Sequence, residues 1–507
     1  MISRAFKVSS IAAAALLAAC GGGGDSVSPT PTPTPPVSVA PSTEPALDAA
    51  KGILAKLDVL RSSAPTSSSA YLALNDGCYL ADGRSKAYIA ADFDVDPLAV
   101  ASRQFEIGST RTAPQVVAER SSTNADGSTR REIDIKYVVN YQDGTKNETA
   151  ADTIVSGSSS GAKLADASTC ATPDSKTDWR VYGNRKVVQT FVNATNERIE
   201  RTALSTGLPL SPAVVYSKHI SLGVQDPAKV ATYAIITGPG LGVDAAGTVN
   251  GTPGSFKLLS VRLLRSAPEL AGKRGNVIDL LDTDSFQSCS NAAGTGSASA
   301  DTANCAVDGT RGNGFGSFNI ASGSALDARF AFFNVNAGDV YTINVYNDDG
   351  WKTVNGQAGK TPIATYTGTL AALPLSAATL AGTGPTADLF ARVTASTKTP
   401  AEIATAIRTK AAISTGQTWS APGAMPDGRA VALSRNWSFE SGQANATGAT
   451  WPGSSKINIS YPGSLATSTT VNIPAPVAAL VNPTYAETTL QYVNRNGNSI
   501  ISRYSYQ

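Results

Sequence analysis

The apolar positions of this chain fall first at helical spacing and afterwards, for most of its length, at period two. Leu47, Ala50, Ile53, Leu54, Leu57 and Leu60 recur every three to four residues behind Pro45, which predicts one amphipathic helix opening the body. Ile133, Ile135, Tyr137, Val139 and Tyr141 alternate with Asp134, Lys136, Val138 and Asn140, a half-buried strand running into the turn Gln142-Asp143-Gly144. Trp179 to Val181 and Val187 to Val192 flank Gly183-Asn184, the signature of a hairpin. Strands are also expected at Tyr233 and Ile235, ending at Thr237-Gly238-Pro239-Gly240, and over Phe256 to Leu264. A further hairpin is expected from Phe330, Phe332 and Phe333 through Asn336-Ala337-Gly338-Asp339 to Tyr341, Ile343 and Val345. Thr399-Pro400-Ala401-Glu402 is a capping box with proline at the first helical position, so a second helix carries Ile403 and Ile407. Val431, Leu433, Trp437 and Phe439 are expected on one face of a strand, and Ile457, Ile459 and Tyr461 on another. The chain closes on a hairpin, Leu490 to Asn494 and Ser499 to Tyr506, about the turn Asn496-Gly497.

These elements predict a mainly β protein: a helix-bearing α+β domain over 45–203, then two β-sandwich-like domains over 204–375 and 376–507. The leading helix followed by a meander of long strands loosely resembles the nuclear-transport-factor-2-like cone fold. The hairpin around Tyr341 resembles those of immunoglobulin-like and pre-peptidase C-terminal domains of bacterial surface proteins, over some twenty residues. No fixed-period repeat links the second and third modules.

Upstream of the body the pattern changes kind. Arg4 and Lys7 precede an apolar run from Ile11 to Ala19, and Leu17-Ala18-Ala19-Cys20 is followed by four glycines. Nine apolar residues rise about 14 Å as a helix, under half of a roughly 30 Å hydrocarbon core, so the run reads as a cleaved signal rather than a span. The four residues ending at Cys20 resemble the lipobox of bacterial lipoproteins. That resemblance implies a signal peptide over 1–19, diacylglycerol on the Cys20 sulfur and acylation of the new amine. With Gly21 next, it implies the outer membrane, facing the periplasm or the cell surface. Several acyl chains, at about 0.8 kcal/mol per buried CH₂, make an anchor that hardly dissociates. Residues 20–44, with the Pro-Thr alternation from Pro29 to Pro36, read as an extended tether of at most roughly 70 Å at 3.1 Å per residue.

Charge adds exclusions. Removing residues 1–19 takes away Arg4 and Lys7 and no acid, leaving 39 basic residues against 39 acidic ones. A neutral chain without a long basic run is a poor nucleic-acid ligand, because that binding rests on neutralising phosphates. Setting Cys20 aside leaves Cys78, Cys170, Cys289 and Cys305, an even set that reads as two disulfides in an oxidising compartment with three possible pairings. The favoured scheme is Cys289–Cys305, closing a short Gly/Ser/Ala-rich loop at roughly 3 kcal/mol, and Cys78–Cys170, tying the first domain at about 4.6 kcal/mol. A zinc site is disfavoured by a single histidine and no C-x-x-C, and neither a cofactor nor a metal is expected.

Candidate chemistry is sparse. Gly157-Ser158-Ser159-Ser160-Gly161 matches the nucleophile-elbow pattern, but no helix is expected after it, and His219, the lone histidine, follows only 60 residues on. His219 reads as a strand or loop residue. Gly359-Lys360-Thr361 lacks the P-loop glycine, since Val354 stands there. Asp92, Asp94 and Asp96 alternate on what reads as the polar face of a strand, with Pro97 and Arg103 where an EF-hand needs glycine and a bidentate acid. Asp348 and Asp349 read as a turn. Trp419, Trp437 and Trp451 with Tyr461 are dense for one module; Trp351 and Trp451, at turns, are the candidates for an exposed ligand surface. The expected function is a lipid-anchored, non-enzymatic binding, adhesion or structural module with a glycan or envelope-protein partner. The alternative is a carboxylate-based hydrolase of envelope or extracellular polysaccharide. A third reading, a carrier, needs an apolar cavity walled by Ile133, Tyr137 and Trp179.

Overall fold

The computed structural model describes residues 39–62, 68–95, 108–140, 146–239, 255–266, 334–350, 360–381, 389–420, 431–441, 455–459, 468–473, 483–493 and 498–507, with short pieces at 284, 286–288, 318–320 and 327. The protein is mostly β, with several sheets behind an N-terminal helix. Cys20, Cys289, Cys305, Trp351 and Trp451 lie outside the described residues, as do the turns at 142–144 and 496–497 and the aromatic run at 330–333.

The first unit is a helix laid on a meander. Helix α1 (Ala46–Ser62) buries Ala50, Ile53, Leu54 and Leu57, the expected stripe, while Leu47 faces outward. The stripe packs on Ile133, Ile135, Ile154, Trp179 and Val181. Two short helices, α2 (Ser68–Tyr71) and α3 (Lys86–Val95), bracket the tiny hairpin β1 (Leu80–Ala81) and β2 (Arg84–Ser85). The meander follows: β3 (Thr110–Arg111), β4 (Gln115–Thr123), β5 (Thr129–Asn140), β6 (Lys146–Ser158) and β7 (Ser175–Gly183), every pairing antiparallel. On β5 the alternation holds, with Ile133, Ile135 and Val139 buried. Around Asp92 and Asp94 the strand expectation is overturned by α3. Its alanines favour helix, and the Ser85 hydroxyl accepts the Tyr88 N–H at 3.2 Å, which starts it.

Cys78 and Cys170 form a disulfide with a Cα–Cα distance of 5.6 Å, joining the turn after α2 to the β6–β7 connection. Beside it Asp76, with no exposed surface, accepts from Arg180 Nε at 2.7 Å and from the Cys78 N–H at 2.8 Å. The remaining Arg180 nitrogens donate to the carbonyls of Gly157, Lys176 and Asp178. The end of the stretch read as tether is also held: Thr177 Oγ1 donates to the Ala40 carbonyl, Ser42 N–H to Ser156 Oγ, and Arg131 to the carbonyls of Ser42 and Glu44.

The hairpin expected across Gly183-Asn184 does not form. Gly183 does turn, at φ +83°, and a Cβ there would lie 2.2 Å from the Leu80 carbonyl oxygen, so only glycine fits. The turn, however, carries the chain out of the meander. Arg185 N–H bonds to Leu80 O, Gly83 N–H to Lys186 O, and Asn184 exchanges bonds with Asp82, so the β1–β2 loop captures the connection. The next strand, β8 (Gln189–Thr202), joins another sheet.

Strand β8 and its antiparallel partner β9 (Pro209–Gln225) are the spine of the remainder. After β9 come β10 (Tyr233–Thr237), β11 (Ser255–Ser260), α4 (Val261–Ser266), β12 (Phe286–Ser288), β13 (Phe318–Ile320), β14 (Val340–Tyr346) and β15 (Ala364–Thr369). The strand expected to continue to Leu264 thus gives way to helix at Val261. Strands β12-β11-β10-β14-β15, in that order, form a five-stranded antiparallel sheet. Its Ala234, Ile236, Tyr341, Ile343 and Val345 pack on Val188, Val192, Ile220 and Val224 of the β8–β9 end.

The last stretch adds α5 (Ala377–Ala381), β16 (Val393–Ser396), α6 (Pro400–Thr409), β17 (Ile413–Trp419), β18 (Val431–Ser441), β19 (Ser455–Ile459), β20 (Ser468–Ile473), β21 (Pro483–Val493) and β22 (Ser499–Tyr506). The capping box forms: Thr399 Oγ1 accepts Glu402 N–H at 3.2 Å, and Glu402 Oε2 accepts Thr399 N–H at 2.8 Å. Strands β16, β17 and β20 make a small sheet, and Trp419 at the end of its central strand donates to Tyr492 Oη at 2.6 Å within a core of Phe390, Leu490 and Ile500. A bulge after Ala432 in β18 shifts the register. Val431 then lies opposite Val493, and Ala432, Trp437 and Phe439 lie opposite Tyr492, Thr488 and Ala486.

Strands β21 and β22 form the expected closing hairpin, and β22 then pairs in parallel with β8 from Ser499↔Thr195 to Tyr506↔Thr202. One seven-stranded sheet results, in the order β13-β9-β8-β22-β21-β18-β19. It draws strands from all three stretches of chain that the sequence suggests as separate modules, and the division at 203/204 falls in the β8–β9 connection.

Candidate functional site

The densest convergence of titratable groups lies where α1 ends over the meander. By register Asp152 of β6 lies opposite Ile135, on the face that carries Ile133, Ile154 and Val181 under the helix. Tyr137 Oη donates to Asp152 Oδ2 at 2.5 Å. One turn before the end of α1, Asp58 binds Arg111 of β3 at 2.7 Å, and Arg61 stacks 4.5 Å over the Tyr71 ring while donating to its hydroxyl. Loss of hydration raises the Asp152 carboxyl above the ordinary range, against the pull of Tyr137, Arg61 and Arg111. The same loss of hydration, with the Asp152 charge added, raises the Tyr79 and Tyr137 phenols. The set gathers a carboxyl, phenols and guanidinium groups that are engaged with one another: Tyr137 with Asp152, Arg61 with Tyr71 and Arg111 with Asp58. Sequence reading named Tyr137 alone here. The signal it passed over was Asp152, placed at period two from Ile154 and so turned inward.

The apolar cavity of the carrier reading is not formed by the residues named for it. Ile133 and Trp179 are core positions beneath α1, and Tyr137 turns to Asp152. A separate groove of about 590 Å³ runs between α2, α3 and the disulfide loop, walled by Leu72, Ala87, Ala90, Leu164 and Cys170.

A second polar assembly lies on the seven-stranded sheet, on the face opposite Leu490 and Ile500. Arg503 grips both oxygens of Glu487 at 2.5 and 2.7 Å and donates to Glu197 at 2.7 Å. His219, opposite Thr195, borders the group; burial lowers its imidazole below the ordinary value, with Glu197 acting against it. The two carboxylates share one guanidinium, an arrangement that binds both to the same cation instead of setting acid and base across a cleft.

The remaining sequence candidates divide between fold and undescribed stretches. Ser159 has no exposed surface; its Oγ accepts the Asp174 N–H at 2.9 Å, and strand rather than helix follows, so the elbow pattern is a structural turn. Asp348 Oδ1 accepts from Gly350 N–H at 2.7 Å and Tyr233 Oη at 3.1 Å, and Asp349 pairs with Lys360 at 2.9 Å. Among the described residues no cluster of three or more His, Cys, Asp or Glu is placed to hold a metal ion. Trp419 is core.

No protein-family model and no curated protein matches this chain. Nine solved chains match. One, concerning host cell surface retention of a 1.5-MDa bacterial ice-binding adhesin, is 10% identical, covers 74% of this chain and 90% of its own, and has a TM-score of 0.14. Another, a tetra-tandem repeat in the extending region of a large adhesion protein, is 10% identical over 76% of this chain and 65% of its own, at TM-score 0.14. A third, a Ca²⁺-stabilized adhesin that helps an Antarctic bacterium reach out and bind ice, is 9% identical over 78% and 74%, at TM-score 0.13. At such TM-scores the likeness carries no argument about this chain.

Proposed function

We propose that this chain is a lipid-anchored cell-envelope protein whose β-body acts as a binding, adhesion or structural module for a glycan or envelope-protein partner. The observation that carries the reading is the parallel pairing of β22 with β8, which ties strands from all three stretches of the chain into one sheet. A body held off a membrane by a tether must pass load between its parts, and ladder hydrogen bonds along a shared sheet do so without a hinge. The local chemistry agrees: Ser159, Asp348 and Asp349 hold turns, and Glu197 and Glu487 are bound to Arg503. Anchoring rests on Leu17-Ala18-Ala19-Cys20. Radiolabelled palmitate is expected to enter the protein and to be lost in Cys20→Ala; equal labelling of that variant would remove the anchor. Binding is tested by screening glycans and envelope proteins against the body from residue 39 onward, which retains the contacts of Ala40, Ser42 and Glu44.

A further inference from the structure

Among the described residues, strand β15 is the outer strand of the five-stranded sheet and pairs only with β14. Leu370 N–H donates to Asp339 O at 2.9 Å, and with the register Val340↔Thr369 this makes Gly368, Tyr366 and Ala364 the residues bonded to β14. The backbone N–H and C=O groups of Thr365, Thr367 and Thr369 therefore point away from the sheet. All three residues are exposed, as the strict alternation of half-buried and exposed positions along β15 requires.

Proteins ordinarily blunt such an edge with charge, proline, a bulge or brevity. The other described edges of the larger sheets do so, and so does one edge of the small three-stranded sheet. Outer strand β4 carries Glu119 and Arg120, which pair with Arg131, Glu132 and Asp134. Strand β7 carries Lys176, Asp178 and Arg180, and β19 carries Lys456. Strands β3, β12 and β13 have three residues or fewer, and β16 is short and bulged. Strand β15, Ala-Thr-Tyr-Thr-Gly-Thr, has none of these devices. Strand β20 is likewise uncharged, but Ser-Thr-Thr-Val-Asn-Ile has no centre about which it mirrors itself. Strand β15 has one. On the exposed face Thr365 and Thr369 are identical and equidistant from Thr367, while on the other face Tyr366 and Gly368 are the positions a two-fold axis at Thr367 would set opposite each other.

We propose that β15 pairs with the same strand of a second copy of this chain, antiparallel and two-fold about Thr367. Thr367 then faces Thr367 and Thr365 faces Thr369, the outward groups of each copy forming three bonded pairs and six interchain N–H···O bonds. Threonine opposite threonine is a favourable cross-strand pair. On the other face each tyrosine meets a glycine, so no two bulky side chains collide. The uncharged edge adds no repulsion between copies. The interface is isologous, as a closed dimer requires, and it joins two five-stranded sheets into one of ten.

The register makes the test specific. In the full chain in its native membranes, Thr367→Cys places two sulfurs across a bonded pair whose Cα atoms lie about 5.5 Å apart, within disulfide reach. Thr365→Cys alone places its copies four residues out of register, about 14 Å apart. Oxidation with copper phenanthroline, read on a non-reducing gel, is expected to give a crosslinked dimer for Thr367→Cys well above both Thr365→Cys and the parent chain. Thr365→Cys/Thr369→Cys is expected to match the strong crosslink. Thr367→Lys sets like charges opposite each other on a solvent-facing position, so detergent-solubilised protein is expected to sediment as the parent dimer and the variant monomer. Equal crosslinking at 365 and 367, crosslinking of Thr367→Cys to a different protein, or identical masses for parent and Thr367→Lys would each overturn the proposal.

Discussion

At the scale of single residues, the protein holds a carboxylate where its own charge works against the fold. Asp152 shares its face with Ile135 and Ile154 and has the Tyr137 hydroxyl as its hydrogen-bond partner. Its pKa in the folded state stands above the unfolded value, so between the two the folded chain binds more protons. Stability from this group is therefore fully present below the unfolded carboxyl pKa and is lost as pH rises through the folded one. Asp152→Asn keeps an acceptor for Tyr137 and removes the ionisation. Urea titrations from acid to neutral pH are expected to show the variant more stable at neutral pH, with a flatter pH dependence. A variant destabilised equally at every pH would mean that the carboxylate supports the fold. The inward turn of Asp152 is legible from its spacing to Ile154. The neighbours that raise its pKa are not, because Arg61, Tyr79 and Arg111 come from segments that meet only in the fold.

Among elements, those specified by local chemistry are the ones the sequence announces. Helix α1 follows its apolar stripe, α6 its capping box, β5 its alternation, and β21–β22 their hairpin pattern. Where two periods compete, the sequence misleads: aspartates two apart at 92 and 94 sit in α3, because alanine-rich composition and the Ser85 start signal outweigh a short alternation. The Gly183 turn was legible, but its partner was not; the β1–β2 loop, not β8, receives it. The Cys78–Cys170 disulfide reinforces this unit by tying the turn after α2 to the β6–β7 connection. Replacing both cysteines with serine frees a loop closed across a sequence separation of 92 and is expected to cost up to about 4.6 kcal/mol. Hydrogen exchange read by mass spectrometry is expected to quicken in β6 and β7 while β8 and β22 keep their protection. Uniform loss across the chain would show that the meander has no separate stability.

For the whole molecule, the decisive feature is that one sheet takes strands from all three stretches of the chain. Ile500 of β22, with 1% of its surface exposed, packs with Trp419, Leu490 and Tyr492, while its strand pairs with β8. Ile500→Ala is expected to cost about 2–5 kcal/mol. Because β8 also carries Val192 into the other core, exchange is expected to quicken in β8, β14 and β17 together and to remain slow in β5. Loosening confined to β17 would show that the shared sheet does not couple the cores. By itself the sequence determined a mainly β class, the helix at its head, the capped helix at Thr399 and the closing hairpin, since each follows from patterns between residues near one another in the chain. Only the tertiary structure decided that β22 pairs with a strand some 300 residues earlier, that Arg61, Tyr79 and Arg111 gather around Asp152, and that among the described residues the Thr-x-Thr-x-Thr strand is paired on one side. Period two assigns a side chain to a face; it carries no information about which strand stands next to which, and that choice is made by the packing of the whole chain.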